Sequence, residues 1–598
     1  MNDKTQTEVD ESQISETMAD IAERSQRLLQ DFISRQGSGD GGKLGFNDPF
    51  NLGNAFFEMT TRMMSEPHKI VEANMNLWQD YMRLWQSTAQ RMMGQDAEPV
   101  VEPARDDRRF KNEAWESDVF DFIKQSYLLT SNYMQSTVGQ VEGLDPKTKQ
   151  KVDFFTKQYV DAMSPTNFVM TNPEVLQATM DSKGENLVNG LRNLLEDLEA
   201  GDGKLKIKMT DADAFEVGKN VATTPGKVVY RNDLMELIQY TPTTEKVSKT
   251  PLLICPPWIN KFYILDLREK NSFIKWAVEQ GNTVFIISWV NPDRKLAKKT
   301  FEDYMIEGPL EALDAIKKAT GEEQVNVVGY CIGGTLLATA LAYMAAKKDD
   351  RIKSATFFTT MVDFAEAGDL GVFIDDTSIE SMEEKMNERG YLEGSEMANT
   401  FNMMKANDLI WSFVVNNYLL GKDPFPFDLL YWNSDSTRMP AAMHSFYLRN
   451  MYLNNKLVEP GGIEVGGVKL DLRKIKVPAY LISTREDHIA PWEATYKATQ
   501  IYSGPVRFVL SASGHIAGVV NPPAAGKYCY WTNEETPTDP TKWLDAAEQH
   551  DGSWWPDWDN WIKKHAGKPT VAARQPGDGE LKALCDAPGE YVAVRLSD

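Results

Sequence analysis

The sequence predicts an α/β fold in which a mostly parallel sheet, covered by helices on both faces, follows a mainly helical part. Apolar residues recur at helical spacing up to about residue 205, whereas β-branched runs alternate with helix-forming segments beyond it. One such run, 325–328, ends abruptly at a cysteine flanked by glycines, and a helix-forming segment, 335–344, follows. Because 598 residues exceed what one core usually covers, we expect at least two domains.

The first 95 residues are expected to form a flexible and amphipathic helical segment. Apolar residues at helical spacing form a stripe along residues 13–36, and they are Ile14, Met18, Ile21, Leu28 and Phe32. A glycine-rich run, 37–42, predicts a linker, and residues 49–94 are rich in Met and aromatic residues. The Met- and aromatic-rich region serves either as a layer packed on the protein or as a surface for a partner. A helical hairpin or a dimer surface would satisfy both interpretations.

A helical N-terminal domain is expected over residues 96–205, and a sheet domain over residues 206–598. The helical domain is expected to begin at the acidic stretch 96–103, which contains two prolines. It is expected to end at the glycine-bearing run 200–203. The sheet domain is predicted to contain a hairpin within 227–240 and strands at 251–255, 283–290, 325–328, 354–360, 477–483 and 506–510. Helices are predicted near 272–279 and 310–319. An insertion at about 363–457 interrupts the sheet, and insertions of this length often form a cap.

Composition argues against several classes of protein. A net charge of −23 argues against indiscriminate nucleic-acid binding, since phosphate contacts depend on Lys and Arg. The four cysteines are spaced too widely for a disulfide scaffold or a zinc site, so we expect no metal and a reducing cytoplasm. The polar N-terminus lacks the pattern of a signal peptide, and the apolar runs fall short of the roughly 18 residues of a membrane span. We therefore expect no transmembrane segment.

The stretch from Gly329 to Gly333 has the pattern of a nucleophile elbow in which cysteine replaces serine. In such an elbow the nucleophile sits on a sharp strand-to-helix turn, so the residues two before and two after it must be small. Gly329 and Gly333 occupy these positions around Cys331. The alternative is a buried structural cysteine beside a glycine-rich turn, because free Cys is often buried.

A thiol nucleophile requires a base, and the base requires a carboxylate that orients it. In a fold of this kind the acid and the histidine follow the nucleophile, each in a loop after a later strand. Asp487 follows the strand 477–483, and His515 follows the strand 506–510. Both lie where strands of an open α/β sheet end and ligands bind. We therefore expect a triad of Cys331, His515 and Asp487.

The other five histidines compete for the role of base. His488 is the nearest, but adjacent residues on a loop usually point apart, so we expect it to support the site structurally. His444 lies in the insertion and is expected to pack or to form hydrogen bonds. The remaining three lie in segments expected to be polar or terminal helices at the surface, and they are His68, His550 and His565.

An acyl intermediate also requires hydrogen-bond donors for its oxyanion. One donor is expected to be the backbone N–H of Ile332, and the other is expected in the loop after the strand 251–255. In this loop Trp258 or Ile259 is expected to supply the N–H. The alternative interpretation of the Pro-Pro-Trp sequence there is a rigid turn with no role in catalysis.

With these motifs the chain resembles the class I polyhydroxyalkanoate (poly(3-hydroxybutyrate)) synthases of the alpha/beta-hydrolase superfamily. The resemblance extends from about Asp106 to the C-terminus, whereas the first hundred residues are much less diagnostic. The motifs that carry it are 256–267, 288–292, 329–334, 431–437, 486–490 and 513–518. Position 258 varies in the family, so the identity of Trp258 carries little information.

The resemblance implies that (R)-3-hydroxyacyl-CoA, with a short chain such as 3-hydroxybutyryl, acylates Cys331. A hydroxyl of the next unit or of the chain end then attacks the acyl-cysteine, so the polyester grows and CoA is released. His515 would deprotonate the thiol, and Asp487 would orient His515 or help to activate the hydroxyl. The resemblance further implies no cofactor, a homodimer, and cytoplasmic association with polymer granules and granule-associated proteins. The insertion would exclude water, which would otherwise hydrolyse the acyl-enzyme.

Two other functions are compatible with the motifs. A CoA thioesterase or ester hydrolase with the same Cys-His-Asp triad would release the monomer to water. A granule-coating or scaffold protein would carry the elbow without using it. The product formed from 3-hydroxybutyryl-CoA distinguishes the hydrolase from the synthase, and the effect of Cys331→Ala on CoA release distinguishes the scaffold.

Overall fold

The computed structural model of the chain describes residues 23, 24, 27, 48 and 50–595. The apolar stripe expected over 13–36 and the linker at 37–42 lie outside these residues, apart from 23, 24 and 27. The chain divides into two compact units, Met1–Asp211 with Phe401–Phe425 and Ala212–Thr400 with Pro426–Asp598. No helix in the part of the chain that is described is long and apolar enough to cross a membrane.

The first unit is helical, as the spacing of apolar residues predicted. Its helices are α1 (Leu52–Ser65), α2 (Pro67–Met92), α3 (Asp118–Gly139), α4 (Pro146–Ala162), α5 (Pro173–Asp181) and α6 (Glu185–Ala200). Two of them begin with a proline after a capping side chain: Asp145 accepts N–H groups of α4, and Asn172 accepts N–H groups of α5. These residues satisfy backbone donors that the first turn leaves unpaired, and they fix where each helix starts.

The first unit also includes a segment from within the insertion. Residues 401–425 contain two π-helical turns, Asn407–Trp411 and Val414–Leu419. The Tyr418 hydroxyl donates to the Asp197 carboxylate at 2.5 Å, and the Asn186 amide donates to the Leu419 carbonyl at 2.7 Å. These bonds join residues 221 and 233 positions apart, so local sequence patterns do not reveal them. From the sequence, the whole insertion is expected in the sheet domain.

The second unit is built on an eleven-stranded sheet. Numbered along the chain, the strands are β1 (Gly226–Arg231), β2 (Met235–Tyr240), β3 (Lys246–Val247), β4 (Leu252–Cys255), β5 (Val284–Trp289), β6 (Val325–Tyr330), β7 (Ile352–Phe358), β8 (Tyr391–Leu392), β9 (Met439–Pro440), β10 (Glu464–Val465), β11 (Val468–Lys469), β12 (Ala479–Thr484), β13 (Val506–Ser511), β14 (Cys529–Thr532), β15 (Glu548–Asp551), β16 (Val571–Ala572) and β17 (Cys585–Asp586). The order across the sheet is β15-β14-β13-β12-β7-β6-β4-β5-β2-β1-β17. The three short pairs β3/β16, β8/β9 and β10/β11 lie outside it.

The centre of the sheet is parallel, and each edge is antiparallel. Strands β5, β4, β6, β7, β12 and β13 pair in parallel, whereas the β1–β2 hairpin and strands β14 and β15 add antiparallel edges. The parallel strands are buried apolar runs because both faces of the sheet are covered. Their parallel direction brings the loops that follow them to one edge of the sheet.

Helices also make up much of the chain after the first strands of the sheet, and α12 among them runs across the boundary between the two units at residue 400. Beyond residue 212 the helices are α7 (Phe273–Glu279), α8 (Phe301–Met305), α9 (Glu311–Thr320), α10 (Ile332–Lys347), α11 (Asp376–Arg389), α12 (Gly394–Met404), α13 (Asp428–Ser434), α14 (Ala441–Tyr447), α15 (Trp492–Tyr496), α16 (Ala498–Ile501), α17 (Pro540–Asp545) and α18 (Trp555–Ile562). Helix α10 is buried along most of its length, and it starts directly after Cys331. The predicted hairpin, strands and α/β fold class are confirmed, with small shifts at the strand ends.

The strands after Ser511 were not predicted from the sequence. They are short and partly exposed, so they lack the long buried runs that identified the central strands. The prediction that His550 lies in a helix is wrong, because it lies in β15 and its Nε2 is 2.8 Å from the Thr532 hydroxyl of β14.

Candidate active site

Cys331 alone forms the turn between strand β6 and helix α10. Its backbone has φ 52° and ψ −122°, a conformation that residues with a side chain rarely adopt. The Cys331 N–H donates to the Phe358 carbonyl of β7 at 2.9 Å, and its carbonyl accepts the Thr335 N–H at 3.1 Å. The sheet and the helix therefore hold the strained residue from both sides, as in a nucleophile elbow.

Two close backbone contacts explain the glycines around this turn. A Cβ atom on Gly329 would lie 2.5 Å from the Gly334 Cα, and one on Gly333 would lie 2.3 Å from the Cys255 carbonyl oxygen. Real Cβ atoms essentially never come this close, so the expected need for small residues at both positions is confirmed. The short distance at Gly333 also shows that the end of β4 lies against the first turn of α10.

The loops after β12 and β13 bring an acid and a histidine together. His515 Nδ1 lies 2.6 Å from the Asp487 carboxylate, whose side chain is fully buried. The other carboxylate oxygen accepts the N–H groups of Ile489 and Ala490, each at 2.9 Å. Cys331 lies near enough to the His515 ring to contribute to the raised pKa of the imidazole. The fold therefore places the three residues of the predicted triad in one connected group.

The electrostatics of this group favour a charged imidazole. Burial lowers the pKa of His515, but the negative charges of Asp487 and Cys331 and the hydrogen bonds to both raise the pKa above its ordinary value. Because Nδ1 faces Asp487, the nitrogen left for the thiol is Nε2. The thiolate is the nucleophilic form of cysteine, so a base at this position can activate Cys331.

Tyr330, the last residue of β6, supports His515 from the sheet side. Its ring stacks on the imidazole with centroids 5.9 Å apart, and its hydroxyl donates to the His515 carbonyl at 3.2 Å. The sequence analysis did not assign a role to Tyr330. Its position beside Cys331 was visible in the sequence, but its contact with a loop 185 positions away was not.

The loop expected to supply the second oxyanion donor follows β4. Pro256 and Pro257 have no N–H, so Trp258 is the first residue of the loop that has one. Two hydrogen bonds from Thr437 hold this loop in place. The Thr437 hydroxyl donates to the Trp258 carbonyl, and the Thr437 N–H donates to the Ile259 carbonyl at 3.2 Å.

These two bonds fix how the peptide groups of the loop are oriented. In a trans peptide the C=O and the next N–H point in opposite directions, so the Ile259 N–H points away from Thr437. Across the turn, Ile332 is the first residue of α10, and its N–H has no acceptor within the helix.

Known families match both units of the chain. The family model described as "Poly-beta-hydroxybutyrate polymerase (PhaC) N-terminus" matches residues 106–277, and the model described as "alpha/beta hydrolase fold" matches residues 251–522. The poly(3-hydroxyalkanoate) polymerase of Methylorubrum extorquens is 54% identical over 534 residues, which are 89% of this chain and 88% of that protein. The chain belongs to the poly(3-hydroxyalkanoate) polymerase family.

Two more members of the polymerase family match this chain over a similar share of its length. The poly(3-hydroxyalkanoate) polymerase subunit PhaC of Rhizobium meliloti (strain 1021) is 52% identical over 89% of this chain and 87% of its own length. The protein of the same name from Cupriavidus necator is 43% identical over 88% of this chain and 89% of its own length. The resemblance and the alpha/beta-hydrolase fold expected from the sequence are therefore confirmed.

Aromatic residues of the insertion pack against the loop after β4 in this polymerase-family chain, and the sequence did not indicate this contact. Tyr447 ends α14, and Tyr452 lies in the π-helical turn Leu448–Leu453 that follows. Both side chains are buried, and burial raises the pKa of both phenols. Tyr447 lies 6.2 Å, ring to ring, from Trp258. Local sequence patterns do not indicate which element this segment packs against.

The ring bonded to Asp487 is not that of His444 or His488. His444 is buried in α14, where burial lowers its pKa to about 4, and neither ring nitrogen has a hydrogen-bond partner among the described residues. The His488 carbonyl accepts the Asp369 N–H at 3.1 Å, whereas the ring bonded to Asp487 is that of His515.

The remaining sulfur and acidic groups form neither disulfides nor a metal-binding cluster where the structure describes them. All four cysteines lie within residues 50–595, and all four are free thiols. Over the described ranges, no group of three or more His, Cys, Asp and Glu side chains is placed to hold a metal ion.

Proposed function

We propose that this chain transfers acyl groups from 3-hydroxyacyl-CoA to a growing polyester through an acyl-cysteine at Cys331. The single observation that supports the proposal most strongly is the connected group of Cys331, His515 and Asp487 at the sheet edge. Family membership supports the same reaction, because the relatives that match along most of the chain are named poly(3-hydroxyalkanoate) polymerases.

The acylation step uses the thiol as nucleophile. His515 takes the proton of Cys331, and the thiolate attacks the thioester carbonyl of the substrate. The oxyanion that forms is stabilised by the N–H of Ile332 and by that of Trp258 or Ile259. When the carbon–sulfur bond to CoA breaks, the leaving CoA thiolate takes the proton back from His515.

The elongation step consumes the acyl-cysteine. The 3-hydroxyl of the next unit or of the chain end gives its proton to His515, and its oxygen attacks the carbonyl carbon bound to Cys331. The ester bond forms as the bond to sulfur breaks, and the proton returns to the thiolate. Both oxygens of Asp487 are held by hydrogen bonds, which supports a role in orienting His515 rather than in contacting the hydroxyl.

The chemistry requires only a nucleophile and a proton carrier. Thioester exchange with a thiol supplies the activated acyl group from CoA itself, so we propose that no cofactor takes part. The match to the model described as "Poly-beta-hydroxybutyrate polymerase (PhaC) N-terminus" supports a short acyl chain such as 3-hydroxybutyryl. The aromatic segment of the insertion in the second unit serves as a cap that keeps water from the acyl-cysteine.

The product formed from 3-hydroxybutyryl-CoA tests this function. The purified chain is expected to release CoA and to form an ester polymer of high mass, whereas Cys331→Ala releases almost no CoA. Free 3-hydroxybutyrate in the same amount as the CoA, without polymer, would reject the synthase and favour a thioesterase. Unchanged CoA release by Cys331→Ala would reject Cys331 as the nucleophile, and no release by the wild type would favour a scaffold.

Helix α2 in the first unit carries an exposed apolar stripe, which we propose is a homodimer contact. Its residues alternate spacings of four and three, and they are Val71, Met75, Trp78, Met82, Trp85, Ala89 and Met92. Trp78 is 65% and Trp85 60% exposed, which is unusual for side chains of this size. Alternating spacings of four and three match a partner helix better than a flat polymer surface. Association with cytoplasmic polymer granules and granule-associated proteins is a second role for the same stripe.

A further inference from the structure

Lys261 is a buried cation at the end of the loop expected to supply the second oxyanion donor, and the two steps above give it no role. It lies two residues after Ile259, and only 3% of its surface is exposed. A buried ammonium is costly unless it is hydrogen-bonded. The Lys261 ammonium donates to the Val594 carbonyl at 2.5 Å and to the Tyr591 carbonyl at 3.5 Å. These acceptors lie 333 and 330 positions further along the chain.

The segment 589–595, which supplies these two carbonyls and is called the strap below, is itself fixed to the β1–β2 hairpin. The fully buried Glu236 carboxylate of β2 accepts the N–H groups of Glu590 and Tyr591 at 2.9 and 3.0 Å. The Tyr591 hydroxyl donates to the Asn232 carbonyl at 2.6 Å. Hydrogen bonds to a charged group are stronger than those between neutral groups, so the hairpin holds the strap in a fixed position.

Helix α13 links the strap to the same loop by a second route. Arg595 of the strap donates to the Tyr431 hydroxyl, and its guanidinium lies 5.3 Å from the centre of the Tyr431 ring. The next residue of the helix, Trp432, donates its indole N–H to the Lys261 carbonyl at 2.7 Å. The strap therefore holds the side chain of Lys261, and the helix that the strap contacts holds its backbone.

The loop from Trp258 to Lys261 carries the N–H groups that are proposed to bind the oxyanion. Thr437 holds the first half of this loop, and Asn260 pairs with Ser436 as an isolated β-bridge. Lys261 holds the end of the loop through the strap. Oxyanion donors lower the barrier most when they are oriented before the reaction begins, so a loop that is held at both ends favours the transition state.

We propose that Lys261, held by the carbonyls of the strap, is a positioning residue that fixes the oxyanion loop for acyl transfer to Cys331. The proposal rests on the acyl transfer proposed above. Lys261 acts through the loop and not by contact with the acyl group. Loss of its ammonium is therefore expected to slow the reaction of bound substrate rather than to weaken substrate binding, so that kcat falls while KM changes little.

Steady-state release of CoA from 3-hydroxybutyryl-CoA by the full chain tests this role. Lys261→Met removes the ammonium but keeps an unbranched side chain, and it is expected to lower kcat about tenfold with little change in KM. Tyr591→Phe removes the hydroxyl that anchors the strap, and it is expected to lower kcat about threefold. The second change is expected to have less effect in the Lys261→Met background, because the strap then no longer holds the ammonium.

Lys151→Met is the matched control. It removes another buried lysine ammonium that donates to a backbone carbonyl, that of Phe50 at 2.7 Å, but this lysine lies in α4 of the first unit. Both kcat and KM are expected to stay at the wild-type values. Thermal unfolding of every variant shows whether the fold is kept, and Tyr591→Phe tests the strap even if Lys261→Met does not fold.

Three results would overturn the inference. An unchanged kcat in Lys261→Met or in Tyr591→Phe would show that the strap does not act on the reaction. A rise in KM alone would assign Lys261 to substrate binding. An equal effect of Tyr591→Phe in both backgrounds would show that the strap does not act through Lys261. Failure of the proposed function appears separately, as CoA release that is unchanged in Cys331→Ala, so the two failures are distinguishable.

Discussion

At the scale of single residues, the anchoring of Asp487 determines how His515 can act. Its carboxylate accepts two backbone N–H groups and contacts Nδ1 of His515, and its side chain is fully buried. The carboxylate is thus fixed before any substrate binds, which lowers the cost of reorganisation during the reaction. Because Nδ1 of His515 faces this fixed carboxylate, the nitrogen left for the thiol is Nε2.

Asp487→Asn is expected to lower the pKa of His515. In the wild type the charges of Asp487 and Cys331 and the hydrogen bonds to both raise this pKa against the lowering effect of burial, and the variant removes the Asp487 charge. Because the raised pKa belongs to the folded state, the charged ring stabilises the fold below its unfolded pKa, and this contribution is lost as the pH rises through the folded value. Histidine ring NMR across a pH series measures the change.

The same variant is expected to slow acyl transfer on the order of 10³-fold, because the imidazole loses both its tautomer and its charge partner. The other five histidines serve as internal controls in the titration. An unchanged pKa of His515 in Asp487→Asn would show that the acid does not control the base.

Thr437 is a residue that the sequence could not identify. It lies in a motif quoted for the family resemblance, but its hydroxyl bonds the Trp258 carbonyl, 179 positions away. The motif shows that such a residue is shared with the family, but it does not show which backbone carbonyl the side chain binds. Cys331, Asp487 and His515 could be predicted because each follows a strand, and strand ends can be located from local patterns.

Thr437→Val is expected to lower kcat of CoA release about tenfold with little change in KM. The substitution keeps the side-chain shape and the backbone N–H bond to Ile259 but leaves the buried Trp258 carbonyl without its donor, at a cost of about 1–3 kcal/mol. The loop that supplies an oxyanion donor then loses its fixed orientation. Thr437→Ser retains the hydroxyl and is expected to behave like the wild type; equal rates for the Val variant would exclude this role.

At the scale of elements, the contrast between the central and edge strands explains what the sequence could predict. Strands β4, β5 and β6 are buried on both faces, so each is a short and mostly apolar run that stands out in the sequence. Strands β14, β15 and β17 are short and partly exposed, and their partners fix them more than their own composition does.

Helix α2 is the element whose surface is least explained by its own unit. Its 26 residues extend about 39 Å, and the apolar stripe runs along most of this length. A stripe of this kind on a stable helix is typical of packing against another helix.

If the stripe forms the proposed homodimer contact, Trp78→Glu is expected to convert that dimer into a monomer in size-exclusion chromatography with light scattering. A charge in the middle of an apolar helix contact must be desolvated without a partner, so the dissociation constant is expected to rise at least about tenfold. Met64→Glu on α1 is the control, because Met64 is also exposed but lies outside the stripe.

The outcome of this test separates the two roles of the stripe. A dimer that persists while binding to polymer granules is lost would assign the stripe to the granule. If Trp78→Glu changes neither the dimer nor the binding to granules, both proposed roles of the stripe are rejected.

At the scale of the whole molecule, chain connectivity is what the sequence could least predict. The segment 401–425 lies between elements of the second unit in the sequence, yet it belongs to the first unit. Its bonds to Asn186 and Asp197 depend on side chains far apart in the chain. The fold class and the triad could be predicted because they depend on local patterns and on the order of strands, whereas this exchange of a segment depends on neither.

The central claim is that the polyester grows on Cys331, and the mass of the peptide that contains this residue tests it most directly. The chain is quenched after a few turnovers of 3-hydroxybutyryl-CoA, digested at low pH, and analysed by mass spectrometry. We predict a ladder of 3-hydroxybutyryl units on the Cys331 peptide, lost in Cys331→Ala and His515→Ala but kept in His488→Ala. Polymer formed with no acyl group on that peptide, or a ladder that persists in His515→Ala, would contradict the account.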